Sequence, residues 1–271
     1  MESVSIVTIA YNPGEGLKRT LATIQQQSSG LDIECMIQDG GSTDGSVEIL
    51  EEFRKKAGFP VEIVSGRDSG IYDAMNRAVA RCTKDWVIFM NAGDAFASAG
   101  VLEKILKEET KKYDVIYGNA IMEDGADRSI WMADFNRIET GMPFCHQAAL
   151  FRREIVKKFP FNIRYRSAAD YDMLLRAYRS KCSFHNCNQT IAIFSMDGIS
   201  STKYVLAAKE KVDVLIRNGF LPENYTKTVA YKTKLMIARG KAVITQMVHD
   251  TPVEKALRAA YKKHVKHYRK I

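Results

Sequence analysis

The chain has no apolar run approaching the ~18 residues that crossing a bilayer requires, so no segment reads as a transmembrane helix. Its five cysteines, Cys35, Cys82, Cys145, Cys182 and Cys187, are odd in number and include no CxxC pair. That argues against a zinc framework or a disulfide scaffold and for reduced thiols in the cytoplasm. The sequons at Asn188 and Asn224 then carry no weight. The opening MESVSIVTIAYN lacks a basic n-region and enters an alternating strand at once, which sets aside a signal peptide. Neither a GxGxxG fingerprint nor a GxxxxGK[ST] phosphate loop is present. Internal repeats and low-complexity segments are also lacking.

What is present is ample core-forming material, 46% hydrophobic over 271 residues, enough for one large domain or two small ones. Charge is spread unevenly. From Thr202 onward sixteen Lys or Arg face five Asp or Glu, and the whole chain is +8, so this surplus of eleven leaves residues 1–201 at −3. The expected division is a mildly acidic body, 1–201, and a basic helical extension, 202–271.

Residues 1–120 alternate between strand and helix patterns. SVSIVTIAY, IECMIQ, VEIVS, DWVIFM and YDVIYGN read as strands; GLKRTLATIQQQ, SVEILEEFRKKA, GIYDAMNRAVARC and VLEKILKEETKK read as helices. That alternation predicts an α/β fold with a mostly parallel sheet, in which ligands bind beyond the carboxyl ends of the strands. The tips are AYN (10–12), DGGSTDGS (39–46), GRDSG (66–70) and NAGD (91–94). One polar turn is an ordinary way to leave a strand; four on one edge describe a site. Beyond residue 120 the pieces shorten, until SAADYDMLLRAYR (167–179) predicts a helix, followed by short strands at FHNC and TIAIFS. After Thr202 the pattern is helical to the end, with an apolar stripe of Leu206, Val212, Leu215 and Ile216.

Asp39 and Asp44 suit hydrogen bonding to a base or ribose. Asp94 at a strand tip suits a divalent cation whose shell phosphate oxygens and water complete. A nucleoside diphosphate bridged by Mg2+ or Mn2+ satisfies both sets.

SIVTIAYN, IQDGGSTDGS, GIYDAMNRAV, WVIFMNAGD and AADYDMLLR resemble, in order, the motifs of family 2 glycosyltransferases with the GT-A fold. FCHQAALF (144–151) and GIYDAMN are similar to segments of bacterial enzymes that build surface polysaccharides. The resemblance covers residues 3–200. It implies that Thr8, Ala10, Tyr11 and Asn12 hold the nucleobase and that Asp39 reads it. The metal-binding tip, usually Asp-x-Asp-Asp, matches Asn91-Ala92-Gly93-Asp94, leaving Asp94 as the one ionic ligand and Asn91 for a ribose hydroxyl. The usual Glu-Asp base motif becomes Ala169-Asp170, so Asp170 takes the catalytic base position and Asp172 the secondary acidic one. Inverting transfer needs such a carboxylate to accept the acceptor hydroxyl's proton. The bland alternative is that both acids merely favour a helix N-terminus.

His146 and Gln147 follow Met142-Pro143 in a loop, either as structural residues or as contacts to diphosphate or acceptor. Arg176 reaches a phosphate or is a solvated helix residue. Asp73 and Asn76 line the donor pocket, while Tyr72 and Met75 read as core. The basic helices carry Lys232, Lys234, Arg239, Lys241, Arg258, Lys262, Lys263, Lys266, Arg269 and Lys270. They suit adsorption to an anionic membrane surface or form a solvated face; no nucleic-acid module is recognisable.

The expected function is inverting transfer of a sugar from a nucleoside diphosphate, UDP rather than GDP, to a saccharide hydroxyl on a lipid-linked glycan in polysaccharide biosynthesis. Such an enzyme is cytoplasmic and peripheral on the inner face of the plasma membrane. The competing readings are a catalytically inactive GT-A module that binds saccharide or recruits partners, and a sugar nucleotidyltransferase.

Overall fold

All eight residues of β1 (Ser3–Ala10) are buried, as a strand with helices on both faces must be. In the computed structural model, which describes residues 2–27, 30–106, 110, 112–125, 127–196, 204–248 and 268–270, the alternation continues through α1 (Gly16–Gln25), β2 (Asp32–Asp39), α2 (Ser46–Lys56), β3 (Val61–Ser65), α3 (Ile71–Arg81) and β4 (Trp86–Phe89). These strands lie in the order β3-β2-β1-β4, all parallel. The register pairs Ala10 with Asp39 and Asp39 with Ser65. Four carboxyl ends therefore emerge together.

Alternation divides the core. Val7 and Ile9 of β1 pack with α3 residues Tyr72, Met75 and Ala78, whereas Val4 and Ile6 pack with Leu17, Leu21 and Ile24 of α1. At the amino end of the strands Glu34, 4% exposed, is sealed. Its carboxylate accepts from Ser5 Oγ (2.6 Å), Thr83 N (2.7 Å) and Thr83 Oγ1 (2.6 Å). Burial would raise its pKa, but these hydrogen bonds outweigh that and hold it low.

The second half is mixed. It comprises β5 (Ala95–Phe96), α4 (Val101–Ile105), β6 (Val115–Asp124), β7 (Asp127–Trp131), β8 (Ala149–Arg152), α5 (Arg153–Lys158), α6 (Ala169–Arg179) and β9 (Phe184–Ser195). Strand β8 enters antiparallel between β4 and β6, and β7 is antiparallel to β6. The sheet is parallel through β4 and mixed beyond it, and β6 and β7 are joined too tightly for a helical crossover. Strand β9 runs parallel to β6 and antiparallel to β5. FHNC and TIAIFS belong to this one strand, whose register against β6 shifts around Asn119. Gly118 permits the close approach there, since a Cβ on it would lie 2.3 Å from the Gln189 carbonyl oxygen. Helix α4 ends at Ile105; most of the remaining predicted helix, 107–109 and 111, lies outside the described residues.

Helix α7 (Tyr204–Arg217) adds Val214 and Leu215 to the core around α3 and α6. Helix α8 (Val229–Val248) follows. Residues 249–267, with Arg258, Lys262, Lys263 and Lys266, lie outside the described residues. Arg269 and Lys270 belong to β10 (Tyr268–Lys270), antiparallel to β7, rather than to a helix.

Candidate active site

The tips of β1 and β2 are laced together. Asn12, at φ 45°, donates its N–H to Ser42 Oγ (2.8 Å) and accepts from Thr43 N through Oδ1 (2.8 Å). Asp44 Oδ2 accepts from Gly14 N (2.9 Å), and Gly40 N donates to the Ala10 carbonyl (2.8 Å). Tyr11 projects outward, 69% exposed, next to Gly40. Asp39 is fully buried. Its Oδ2 accepts from Gly41 N, Ser42 N and Ser65 Oγ, and its Oδ1 from Ser42 Oγ, at 2.5–3.0 Å. Burial raises such a carboxyl, but the Ser42 and Ser65 hydroxyls lead the donors that hold it below its ordinary value. Three of these bonds fall on Oδ2 and one on Oδ1, so Asp39 organises the 41–42 loop and Oδ1 keeps acceptor capacity. Thr8 is likewise enclosed. Its side chain points inside the sheet beside the Cys35 thiol, fully buried.

The turn after β4 is organised by a residue the motifs did not show. Thr20 of α1 donates through Oγ1 to the Asp94 carbonyl (2.6 Å) and accepts from Gly93 N (3.0 Å). Ala92 N bonds the Ile9 carbonyl (3.0 Å). The signal for Thr20 was a polar residue within the buried stripe Leu17, Thr20, Leu21, Ile24. Asp94 is 5% exposed; its Oδ1 accepts from Ser195 N (3.1 Å) and its Oδ2 from Gln147 Nε2 (3.1 Å). Burial pushes its pKa up to about 7 against those two bonds and the charge of Arg19. Asn91 Oδ1 is buried with no partner.

Gln147 accepts from the Cys145 thiol (3.0 Å) while holding Asp94, so it positions that carboxylate. His146 leans on Phe89, ring centroids 5.3 Å apart, with its buried Nε2 unpartnered. Burial holds the imidazole below its ordinary pKa, opposed by the nearby Asp170 carboxylate. It is neutral at pH 7.

Asp170 occupies the first turn of α6, where the helix dipole favours a carboxylate. Its Oδ1 accepts from Tyr171 N (2.9 Å) and Tyr72 Oη (3.2 Å). Burial and the Asp170 charge keep the Tyr72 phenol protonated, so it is the donor. Among the described residues nothing donates to Asp170 Oδ2. Tyr72 is core, as expected, but its hydroxyl reaches the site; no pattern in the sequence announces that.

Four other residues are engaged elsewhere. Asp172 lies about 200° around α6 from Asp170, paired with Arg176 (2.9 Å) and accepting from Asn218 Nδ2 (3.1 Å). Arg176 also bonds the Pro160 carbonyl (2.5 Å). Both face the end of α7 and the 159–160 segment. Asn76 exchanges two hydrogen bonds with the Phe161 backbone (2.8 and 2.9 Å), and Asp73 caps α3 by accepting from Ser69 N (2.9 Å) while pairing with Arg77. Asn76 clamps the 161 segment, and Asp73 lies among the residues of a small cavity with Ser69, Tyr72 and Arg166.

The donor set at the β4 tip is oxygen, one carboxylate beside one orphaned amide oxygen, which suits Mg2+ or Mn2+. Among the described residues no group of three His, Cys, Asp or Glu stands ready to hold a metal alone, so phosphate oxygens have to complete a shell here.

A half-parallel sheet with polar tips and an acid at a helix start is an arrangement of the GT-A fold. Solved structures agree on the fold. One is S. aureus TarS residues 1–349 with UDP-GlcNAc, at 15% identity and TM-score 0.62, covering 89% of this chain and 80% of that one. Another is the Pyrobaculum calidifontis mannosyltransferase PcManGT with GDP-Man and Mn2+, at 15% identity and TM-score 0.64, covering 97% and 81%. Against a longer TarS structure this chain spans 48% of the length. Residues 5–181 match the profile of Glycosyl transferase family 2, and the chain belongs to that family. A PGL/p-HBAD biosynthesis glycosyltransferase of Mycobacterium bovis is 34% identical over 177 residues, covering 64% of this chain and 69% of the relative. An uncharacterized glycosyltransferase of Mycobacterium tuberculosis is 29% identical over 188 residues, covering 65% and 68%.

Proposed function

We propose that this family 2 glycosyltransferase moves a sugar from UDP to a saccharide hydroxyl with inversion, Asp170 acting as base. The observation that carries the reading is the half-satisfied Asp170 carboxylate. Tyr72 and the Tyr171 amide fix Oδ1, which leaves Oδ2 to take the hydroxyl proton as the acceptor oxygen attacks C1 opposite the diphosphate. The base stacks or bonds on the exposed surface of Tyr11, Asn12 and the 40–43 loop that Asp39 organises. Asp94, with Asn91 beside it, holds a divalent cation together with the diphosphate; when bound, that cation offsets negative charge on the leaving group. His146 Nε2 offers a buried hydrogen-bonding group to the same diphosphate or to the acceptor.

The acceptor in this reading is a lipid-linked glycan, and the protein is a cytoplasmic enzyme lying on the membrane's inner face. Helix α8 supports it. Val229, Met236 and Val243 recur every seven residues and are 79%, 67% and 49% exposed, with Lys232 and Arg239 also exposed on this helix. No helix among the described residues is long and apolar enough to cross a membrane.

The test is transfer from a labelled UDP-sugar with Mn2+. Asp170→Asn should lower turnover at least about 100-fold and leave UDP affinity within twofold. Unchanged turnover refutes the assignment of the base. Binding of donor or saccharide by both proteins with turnover by neither would mark an inactive binding module instead.

A further inference from the structure

Three half-buried cations are carried by elements other than the strand tips. Arg137 comes from the short helical turn Phe135–Arg137, Lys211 from α7 and Lys234 from α8. Lys211 and Arg137 converge over Gly141, and Lys234 lies close enough to Lys211 for its charge to act on it. A Cβ there would stand 2.6 Å from Lys211 Nζ and 4.0 Å from an Arg137 guanidinium nitrogen. No carboxylate among the described residues pairs with any of them. The neighbouring acids are engaged. Glu139 accepts from Tyr178 Oη (3.1 Å). Glu210 accepts from Arg166 N and Ser167 N. Asp213 holds Tyr165 Oη and Arg217. Burial, followed by the charges of Lys234 and Arg137, pushes Lys211 down to about 8.

Gathering like charges without a counter-charge opposes folding, and an arginine fork with two ammonium groups is a donor set for phosphate oxygens. The turn is also tied to the catalytic helix. Tyr171, next after Asp170, donates its hydroxyl to the Ile138 carbonyl (2.7 Å), one residue from Arg137. The donor's diphosphate belongs at the β1 and β4 tips. We propose that Arg137, Lys211 and Lys234 form a second anion site, which takes a phosphate group carried by the acceptor. This assignment rests on the transferase reading above.

The test titrates inorganic phosphate, at constant ionic strength, into the full chain already saturated with UDP and Mg2+, followed by thermal shift. Arg137→Gln/Lys211→Gln should weaken phosphate binding at least tenfold and leave UDP affinity unchanged. Gly141→Ala keeps every charge and only pushes the Lys211 ammonium aside, and should also weaken phosphate binding. A parallel arm measures binding to phosphatidylcholine vesicles containing phosphatidylglycerol. If the double variant loses vesicle binding but keeps its phosphate affinity, the cluster reads lipid headgroups and the proposal falls. Equal phosphate affinity in wild type and both variants overturns it as well. Neither result depends on Asp170, so loss of this site and loss of the base assignment are told apart.

Discussion

Replacing Asp94 by Asn should stabilise the protein, and more so as pH rises. The carboxyl is raised from its ordinary 3.8 to about 7, with burial as the leading cause. The folded chain therefore holds the proton more tightly than the unfolded chain. Stability falls as pH climbs from about 4 to about 7 and is flat above that. The penalty on the charged form reaches about 4 kcal/mol at pH 8 and is about 2 kcal/mol at pH 5. Asparagine carries no such penalty. Any cost from a mispaired amide at Gln147 is independent of pH and cancels when two pH values are compared. The advantage of Asp94→Asn over wild type should thus grow by about 2 to 3 kcal/mol between pH 5 and pH 8, or about 5 to 10 °C in Tm. Calorimetric melts of both proteins without added metal read this directly. Parallel stability curves across that interval would refute the argument that Asp94 is a strained, buried acid awaiting a counter-charge. In the presence of UDP, Mn2+ should raise the wild-type Tm and leave that of the variant unmoved.

Three further outcomes follow from the hydrogen-bond geometry and the exposed helix. Tyr72→Phe removes the hydroxyl from Asp170 Oδ1 and little else, so kcat should fall about 3- to 10-fold with the KM for donor unchanged; a rise in KM at unchanged kcat would mean the hydroxyl serves donor binding and not the base. Thr20→Val leaves Gly93 N and the Asp94 carbonyl unpaired and should cost about 2 to 4 kcal/mol in urea unfolding, with Thr20→Ser close to wild type. Met236→Glu/Val243→Glu should reduce binding to phosphatidylglycerol vesicles at least tenfold, and wild-type binding should weaken as salt rises; salt-independent binding speaks against adsorption.

The parallel half of the fold was legible because short β-rich segments alternate regularly with helices that each carry an apolar stripe. The antiparallel half was not, since Val115–Asp124 and Ala149–Arg152 carry no mark of direction, and direction is set by which edge is free. Site residues divided in the same way. Asn91 and Asp94 stand where their strand delivers them. Asp172 and Arg176 share a helix with Asp170, yet helical periodicity turns them toward α7, a distinction a motif does not encode. The Tyr72 hydroxyl and the pair of hydrogen bonds between Asn76 and Phe161 join segments 98 and 85 residues apart, beyond the reach of any local pattern.

The sealed Glu34 network ties β1, β2 and the α3–β4 connection together at the end remote from the tips. Strand alignment is thereby set by a foundation no ligand touches. Chemistry at the opposite rim can be rewritten by exchanging loop residues without letting a strand slip, so one scaffold can serve many sugar donors while its base stays unchanged.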